Sequence, residues 1–567
     1  MDSYTKWPNL AVMMFDLARR WPDRPMLRSH RDGAWRRMNW GAFGRATASA
    51  ARGLLAAGVS AGDRVVILSE NRPEYPIAET ALMAIRAVPV PTYVTSMVSD
   101  LAHILRDSGA TAAIVSTPEL ASRLIAGATE VHGLSLIVAL DPVEAPGARL
   151  IAWSDLVADQ RPIDDVAEAA AAISEGTLAC LIYTSGTSGA PRGVMLPHRA
   201  ILANCRGAFE FLRPMRLQNE LYLSFLPLSH SYEHTVGQFF LLSIGTEIAY
   251  CRGVEHLSSD LLAVRPTILA MVPRILEVIR SRILAQVARE KPWRQNLFAR
   301  ALDVGRKRAE REPLSLLDRL MDPLLDRLVR RKVLARFGGR FFAAICGGAR
   351  LDPAVGRFYL GLGIVLMQGY GQTEAGPVIA ANPPNAIRID TVGPPLEGVE
   401  VRIAADGEIE VRGDLVMDGY WGRPEETAKV LRDGWLSTGD IGRLDSDGYL
   451  RITDRKRDII VLSGGENVSP AHVEGTLVAA PAIAQAVVCG DGRSSLAALL
   501  VPAEGQDEAA VNAALAAANR QLTVTERIRR HAIVPPFTIE NGLLTASQKV
   551  RRHLVLLRHA EIVEQLW

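Results

Sequence analysis

The first third of the chain alternates short apolar runs with longer amphipathic stretches. Arg64-Val65-Val66-Ile67-Leu68 follows Gly62-Asp63 and predicts a buried strand. Residues 77–87 predict a helix, Ala112-Ala113-Ile114-Val115 a second strand, and residues 134–140 a repeat of the pattern. Strands alternating with helices predict α/β layers on mainly parallel sheets. The run Leu178-Ala179-Cys180-Leu181-Ile182-Tyr183 predicts another buried strand, and Ala200-Ile201-Leu202 suits a helix start, with one polar turn between them. Residues 275–336 differ: they are rich in Leu, Ala and Arg. Apolar spacings of three and four at Leu316, Leu317, Leu320, Leu324, Leu325 and Leu328 predict a helical block. Its arginines read as a solvated face. A membrane-surface role is the alternative, because basic amphipathic helices lie on anionic lipid.

Residues 406–449 are rich in Gly and Asp, with short alternating strands such as Glu408-Ile409-Glu410-Val411, and predict a small β-rich subdomain. Asp454-Arg455-Lys456-Arg457-Asp458 follows the strand pattern Tyr449-Leu450-Arg451-Ile452 and reads either as a turn or as a hinge. Ser469-Pro470 supplies an N-cap and first-turn pair for a helix. The last hundred residues have the pattern of a compact α+β unit. No internal repeat is visible.

A chain of 567 residues exceeds what one core supports, so two or more domains are expected. A net charge of +2 gives no case for nucleic acid as a partner. Of 64 basic residues only seven are lysine, so each lysine merits inspection. The five cysteines form no C-x-x-C pair, which argues against a zinc site or a disulfide framework. The first residues lack a signal-peptide pattern and no run of about 18 apolar residues appears. A cytoplasmic protein is expected, with peripheral membrane contact left open.

The densest chemistry lies at residues 183–194, Y-T-S-G-T-S-G-A-P-R-G-V. Gly186, Gly189 and Gly193 permit close backbone approach; Thr184, Ser185, Thr187 and Ser188 add hydroxyls; Arg192 adds a fixed charge. Such a loop suits an oligophosphate. It is not the G-x-x-x-x-G-K-[ST] P-loop, and a plain surface loop is the competing reading. Four further segments fit one nucleotide site. Residues 368–377 place Tyr370, Gly371, Thr373 and Glu374 in a glycine-rich turn, Glu374 suiting Mg²⁺ beside phosphates. Ser437-Thr438-Gly439-Asp440 offers an acceptor for ribose hydroxyls, or an ordinary Asx-turn. Cys346-Gly347-Gly348-Ala349 would let a flat base lie on backbone. The polar loop at 541–552 carries Lys549, which spacing alone would leave on the surface.

Taken together, these segments resemble the adenylate-forming superfamily of acyl-CoA synthetases, non-ribosomal adenylation domains and luciferases. Six pieces come in family order: T-S-G-T-S-G-A-P-R-G-V, F-L-P-L-S-H, Y-G-Q-T-E, S-T-G-D, D-R-K-R-D-I-I-V-L-S-G-G-E-N-V-S-P and the Lys549 loop. The long helical block before Phe341 and the form of the fifth piece look most like the long-chain fatty acyl-CoA synthetase branch. The resemblance implies a large α/β N-terminal domain of layered subdomains plus a small β-rich subdomain (residues 1–456), and a small mobile α+β C-terminal domain (457–567).

It also implies roles. Thr184, Ser185, Gly186, Thr187, Ser188 and Gly189 would hold the β- and γ-phosphates of ATP, with Arg192 beside them. Gly347, Gly348 and Ala349 would border the adenine, with Tyr370 and Gly371 near it. Thr373 would contact the α-phosphate, Glu374 would hold Mg²⁺, and Asp440 would bind the ribose with help from Arg455. Lys549 would contact carboxylate and α-phosphate, His230 would line the acyl and thioester region, and Arg457 would be the hinge. The implied reaction joins a medium- to long-chain fatty acid to AMP and then to coenzyme A.

The chain departs from the family at Arg192, where lysine is usual, at His234 and Arg350, where the branch commonly has arginine and proline, and at Arg457. Two other readings stand beside the leading one. An acyl-AMP ligase would load a carrier protein instead of coenzyme A; a silent protein would bind nucleotide or acyl chain without turnover. Which acid is used depends on the packing of Phe209, Phe211, Phe239 and Phe240, which sequence does not place.

Overall fold

The structure is a computed structural model that describes residues 4–131, 133–145, 147–159, 161–184 and 190–567. Two large sheets carry the N-terminal part. One has five strands, all parallel, in the order Val88–Thr92, Arg64–Leu68, Ala112–Val115, Leu136–Ala139, Arg149–Ala152. Every residue of its Ala112–Val115 and Leu136–Ala139 strands is buried, as expected for strands covered by helices on both faces. The other has eight strands. Its parallel centre runs Val365–Gly371, Ala343–Cys346, Ile268–Met271, Leu221–Ser224, Glu247–Tyr250, Pro25–Arg31, and Val378–Ala381 and Ala34–Asn39 close the two edges antiparallel.

A small antiparallel sheet follows, built from Glu400–Ile403, Glu408–Arg412, Trp435–Leu444, Leu431–Arg432 and Leu450–Arg455. This is the β-rich unit that the Gly/Asp composition predicts. Beyond it, Ile483–Cys489, Leu496–Pro502 and Ile528–Ile533 form a separate three-stranded sheet with helices on it. Its two apolar cores draw only on residues from Ile460 onward, whereas the three N-terminal cores end at Leu450. The chain is therefore α/β in its larger part and α+β in its smaller one. Among the described residues no helix is long and apolar enough to cross a membrane. All five cysteines are free thiols.

Two details differ from the sequence reading. The apolar run after Arg192 does not lead straight into a helix. Arg192–Pro197 pairs antiparallel with Leu178–Thr184, and the helix His198–Leu212 begins only afterwards. The polar loop thus joins two strands, not a strand and a helix. Tyr183 shares this pairing, opposite Gly193.

The second difference concerns the helical block, which comprises Pro273–Ala288, Pro292–Ala309 and Leu316–Leu325, continuing to Leu334. Its leucine periodicity marks helix correctly, but most of those leucines point outward. Leu325 is fully buried, while Leu316 and Leu320 are about four-fifths exposed, at 79% and 80%. Several charged groups point inward instead: Arg330 is buried and bonds Asp322 (2.7 Å) and the Ala301 carbonyl (3.1 Å).

The block is pinned to the sheet layer where Gly305 meets the C-terminal turn of the helix Pro353–Gly361. A Cβ at Gly305 would collide with the carbonyl oxygen of Gly361. Gly305→Ala should therefore destabilise the protein by about 1–3 kcal/mol through overpacking. The check is thermal unfolding of the variant: an unchanged midpoint would show that the two helices separate freely.

Candidate active site

In open α/β sheets, ligands bind beyond the carboxyl ends of parallel strands. Three strands of the eight-stranded sheet, two of them adjacent, deliver the expected residues there. Leu221–Ser224 leads to His230, Ala343–Cys346 to Gly347, and Val365–Gly371 to Thr373 and Glu374. A cleft of about 1460 Å³ opens at these ends, between the sheet, the β-rich unit and the C-terminal loop. It is lined by Thr184, Arg192, His230, Gly347, Gly348, Ala349, Tyr370, Gly371, Thr373, Glu374, Asp440, Arg455 and Lys549. Ser185, Gly186, Thr187, Ser188 and Gly189 lie outside the described residues.

One wall is an acceptor site. Asp440 is nearly buried in the strand Trp435–Leu444, directly across from Arg455 on the next strand. Tyr370 donates its hydroxyl to Oδ2 (2.7 Å) and Arg455 Nε lies 3.2 Å from Oδ1. Burial pushes the Asp440 carboxyl above its usual range, while Arg455 and Tyr370 pull it back. The Asx-turn alternative is not realised: Asp440 is a strand residue, its carboxylate held by a ring and a guanidinium. Gly439 just before it has φ +74°, a conformation that favours glycine, and its N–H donates to Glu408 Oε1 at 2.8 Å.

The floor is made by Gly347 and Gly348. Gly348 has φ +83°, and Tyr232 packs against Gly347, donating to the Ile345 carbonyl at 2.9 Å. This leaves a flat, side-chain-free ledge near Tyr370. Gly371 allows the next close approach: a Cβ there would strike the Pro377 carbonyl.

The third wall carries the charges. The Thr373 hydroxyl is 2.8 Å from that of Ser231. Glu374 Oε1 accepts from the Tyr420 hydroxyl (2.9 Å). Arg192 lies 4.2 Å over the same Tyr420 ring and pairs with Glu426 at 3.1 Å. Sequence reasoning missed Ser231, Tyr420 and Glu426. The signal for Tyr420 was the aromatic pair Tyr420-Trp421 in an otherwise polar stretch.

Lys549 enters from the C-terminal unit on a tight turn, with Gln548 at φ +61° and the Thr545 N–H bonding the Lys549 carbonyl at 2.8 Å. Thr95 of the N-terminal part donates to the Ala546 carbonyl (2.7 Å), which docks this turn against the cleft. The Lys549 side chain faces cleft water but is surrounded by protein. Thin hydration and Arg455 lower its ammonium pKa from the ordinary value, and Glu374 and Asp440 partly restore it.

His230 Nδ1 accepts the Tyr232 N–H (3.1 Å), which leaves Nε2 protonated in the neutral ring. Burial and Lys549 push its pKa down to about 3. Glu233 beside it is fully buried, accepts from Tyr222 (2.7 Å) and Ser224 (2.6 Å), and is pushed up to about 7 by burial.

The departures from the family pattern also have places. His234 does not reach the cleft. It is wholly buried against Glu79 at 2.7 Å, and Gln238 donates to the other Glu79 oxygen at 2.7 Å. Arg350 and Arg457 both line the cleft. Lys456, between the β-rich unit and the C-terminal unit, bonds Asp406 (2.6 Å) and Glu408 (2.7 Å).

Among the described residues no cluster of three or more His, Cys, Asp or Glu side chains can hold a metal ion. The donors present still fit Mg²⁺ held jointly with phosphate. Glu374 spends one oxygen on Tyr420, and Mg²⁺ takes one or two carboxylates plus phosphate oxygens rather than an all-protein cage.

An acceptor wall, a flat ledge, hydroxyls, a carboxylate and a lysine from a second unit define a nucleotide-using enzyme of the α/β class. The chain belongs to the AMP-binding enzyme family, which residues 14–421 match; residues 457–567 match the AMP-binding enzyme C-terminal domain. It is 34% identical to the long-chain-fatty-acid–CoA ligase FadD15 of Mycobacterium tuberculosis, over 99% of this chain and 97% of that one. Its fold is shared with the anthranilate CoA ligase AuaEII in complex with anthranoyl-AMP (TM-score 0.75, 19% identity, covering 99% and 98%). It is shared equally with the o-succinylbenzoate coenzyme A synthetase MenE of Bacillus subtilis in complex with ATP and magnesium ion (TM-score 0.71, 21% identity, 97% and 99%).

The site's electrostatics give a pH prediction. His230 is already neutral well above pH 3, so it takes no proton step near the ordinary histidine value of 6.5. Lys549 has a lowered pKa, so its charge is lost at lower pH than that of a free lysine. His230 should therefore add no limb near pH 6.5, and nucleotide-dependent turnover should fall on the alkaline side. Lys549→Arg should be slower and move that alkaline limb to higher pH. A limb near pH 6.5 that disappears in His230→Gln would overturn the assignment.

Proposed function

We propose that the protein activates a medium- to long-chain fatty acid with ATP and transfers it to coenzyme A. The observation that carries this reading is the meeting of Thr373, Glu374, Asp440 and Lys549 around one cleft, in a chain matched along its whole length by a fatty-acid–CoA ligase. The acid's carboxylate oxygen attacks the α-phosphorus of ATP. A C–O–P bond forms, the Pα–O–Pβ bond breaks, and pyrophosphate leaves. In the second half the coenzyme A thiolate attacks the acyl carbon and AMP leaves with the electron pair.

Asp440 accepts the ribose hydroxyls, with Arg455 and Tyr370 holding its orientation. Gly347, Gly348 and Ala349 receive the base. Thr373 donates to the α-phosphate, and the loop from Thr184 through Gly189 with Arg192 receives the outer phosphates. Mg²⁺, held by Glu374 with the phosphates, would supply charge neutralisation. Lys549 places an ammonium on the charge that grows at the α-phosphate and carboxylate, where low hydration strengthens it. Reactions of this type gain mainly from positioning and charge.

We assign residues 1–456 to a fixed domain and 457–567 to one that turns between the two half-reactions, withdrawing Lys549 to admit the thiol. His230, neutral and beside Lys549, lines the region the acyl group crosses.

Two measurements test this. Pyrophosphate release with Mg²⁺-ATP across a panel of acids should depend on a fatty acid, with acyl-CoA formed when coenzyme A is added. Acyl-AMP that accumulates despite coenzyme A would point to a carrier protein as acceptor, and no release with any acid would mean a silent binding protein. Lys549→Ala should slow adenylation by about 10²–10³-fold while sparing thioester formation from supplied acyl-AMP. Equal loss in both halves would remove Lys549 from that role.

A further inference from the structure

Single exposed apolar side chains are ordinary on a protein surface, whereas a contiguous row is not. Among the described residues, large exposed apolar side chains are scattered along the chain except at one place. Leu316, Leu317, Leu320, Leu324 and Leu328 all lie on the helix Leu316–Leu325 and its continuation, and all are open to solvent. Leu316, Leu320 and Leu324 recur every four residues, so they form a stripe along one side of the helix. The opposite side is fixed to the protein through Asp318, which is buried and pairs with Arg300, and through buried Leu325.

The surroundings of this stripe carry an unusual charge. Residues 274–340 hold 18 basic and 8 acidic side chains, a net of +10, which leaves −8 on the rest of a chain whose total is +2. Arg319, Arg327 and Lys332 are exposed on or beside the stripe and have no acidic partner among the described residues. Most of the acidic groups in the segment are already spent. Asp303, Glu310 and Glu312 converge on Arg306, and Asp322 and Asp326 pair with Arg330 and Arg331.

We infer that the leucine stripe of residues 316–328 docks the protein on an anionic lipid surface. Leucine side chains would enter the acyl boundary while the arginines and Lys332 meet headgroup phosphates. A second copy of the chain is a poorer occupant. A two-fold contact would set the same +10 segment against itself, and like charges at such an interface repel. This inference stands apart from the acid the enzyme uses, since none of these leucines lines the cleft.

The test is co-sedimentation of the full chain with vesicles of phosphatidylcholine alone or mixed equally with phosphatidylglycerol. Wild type should sediment with the anionic vesicles and be released as salt rises. The variant Leu316→Ser, Leu320→Ser, Leu324→Ser should keep the wild-type thermal midpoint, because these side chains are exposed, and lose about tenfold or more of its vesicle binding. Reversing Arg319, Arg327 and Lys332 to Glu should also release it. Wild type that stays in solution with both vesicles would overturn the inference, as would a serine variant that still sediments fully. So would gel filtration showing a dimer that the serine variant dissolves without any vesicle binding.

Discussion

The cleft depends on one electrostatic constraint: an ammonium from one unit and two carboxylates from another share one space, and the protein around them thins their hydration. Lys549 is drawn down by burial and by Arg455, and held charged by Glu374 and Asp440. Asp440 is itself raised by burial and needs Arg455 and Tyr370 to stay ionised. The three charges are thus mutually dependent, yet one of them comes from a different unit of the chain. Removing the lysine leaves two acidic groups facing each other, which changes what the cleft can bind.

Docking of that unit is not strongly fixed by packing. Its apolar cores share no residues with the N-terminal ones. The contacts that hold Lys549 in place are polar: Thr95 to the Ala546 carbonyl, and Lys456 to Asp406 and Glu408. The two units thus meet here through polar contacts and share no apolar core. Arg457, expected as the hinge, follows directly after Lys456.

Much of this was legible in the sequence because it is written in short motifs. Membership of the family was readable because motifs such as T-S-G-T-S-G, Y-G-Q-T-E and S-T-G-D demand particular residues at fixed spacing, and order along the chain multiplies their weight. What was not legible is what depends on facing. Leucines at helical spacing announce a helix, but periodicity cannot say which side meets the protein; here Asp318 and Arg330 went inward and Leu316 and Leu320 went out. Pairing was equally hidden. One polar turn was expected between the strand ending at Tyr183 and the helix start at Ala200, and only its pairing with Leu178–Thr184 makes Arg192–Pro197 a strand. Long-range pairs such as His234 with Glu79, 155 residues apart, leave no local trace at all. Yet that pair accounts for a departure from the family pattern: a buried carboxylate needs a donor beside it, and an imidazole N–H meets that need in less volume than a guanidinium.

Arg192, which opens the strand Arg192–Pro197 where lysine is usual in the family, shows the same logic. Its guanidinium carbon lies 4.2 Å from the centre of the Tyr420 ring, and one of its nitrogens reaches Glu426. The Tyr420 hydroxyl in turn holds Glu374. A single stack therefore ties the strand leaving the phosphate loop to the carboxylate suited to Mg²⁺. A lysine could supply the charge, but its round ammonium has no planar face for the ring and fewer donors to divide between Glu426 and a phosphate. Arginine offers five, so pairing with Glu426 does not exhaust it. The substitution thus keeps a positive charge beside the loop and adds a link through Tyr420 to Glu374 that a lysine could not make in the same way.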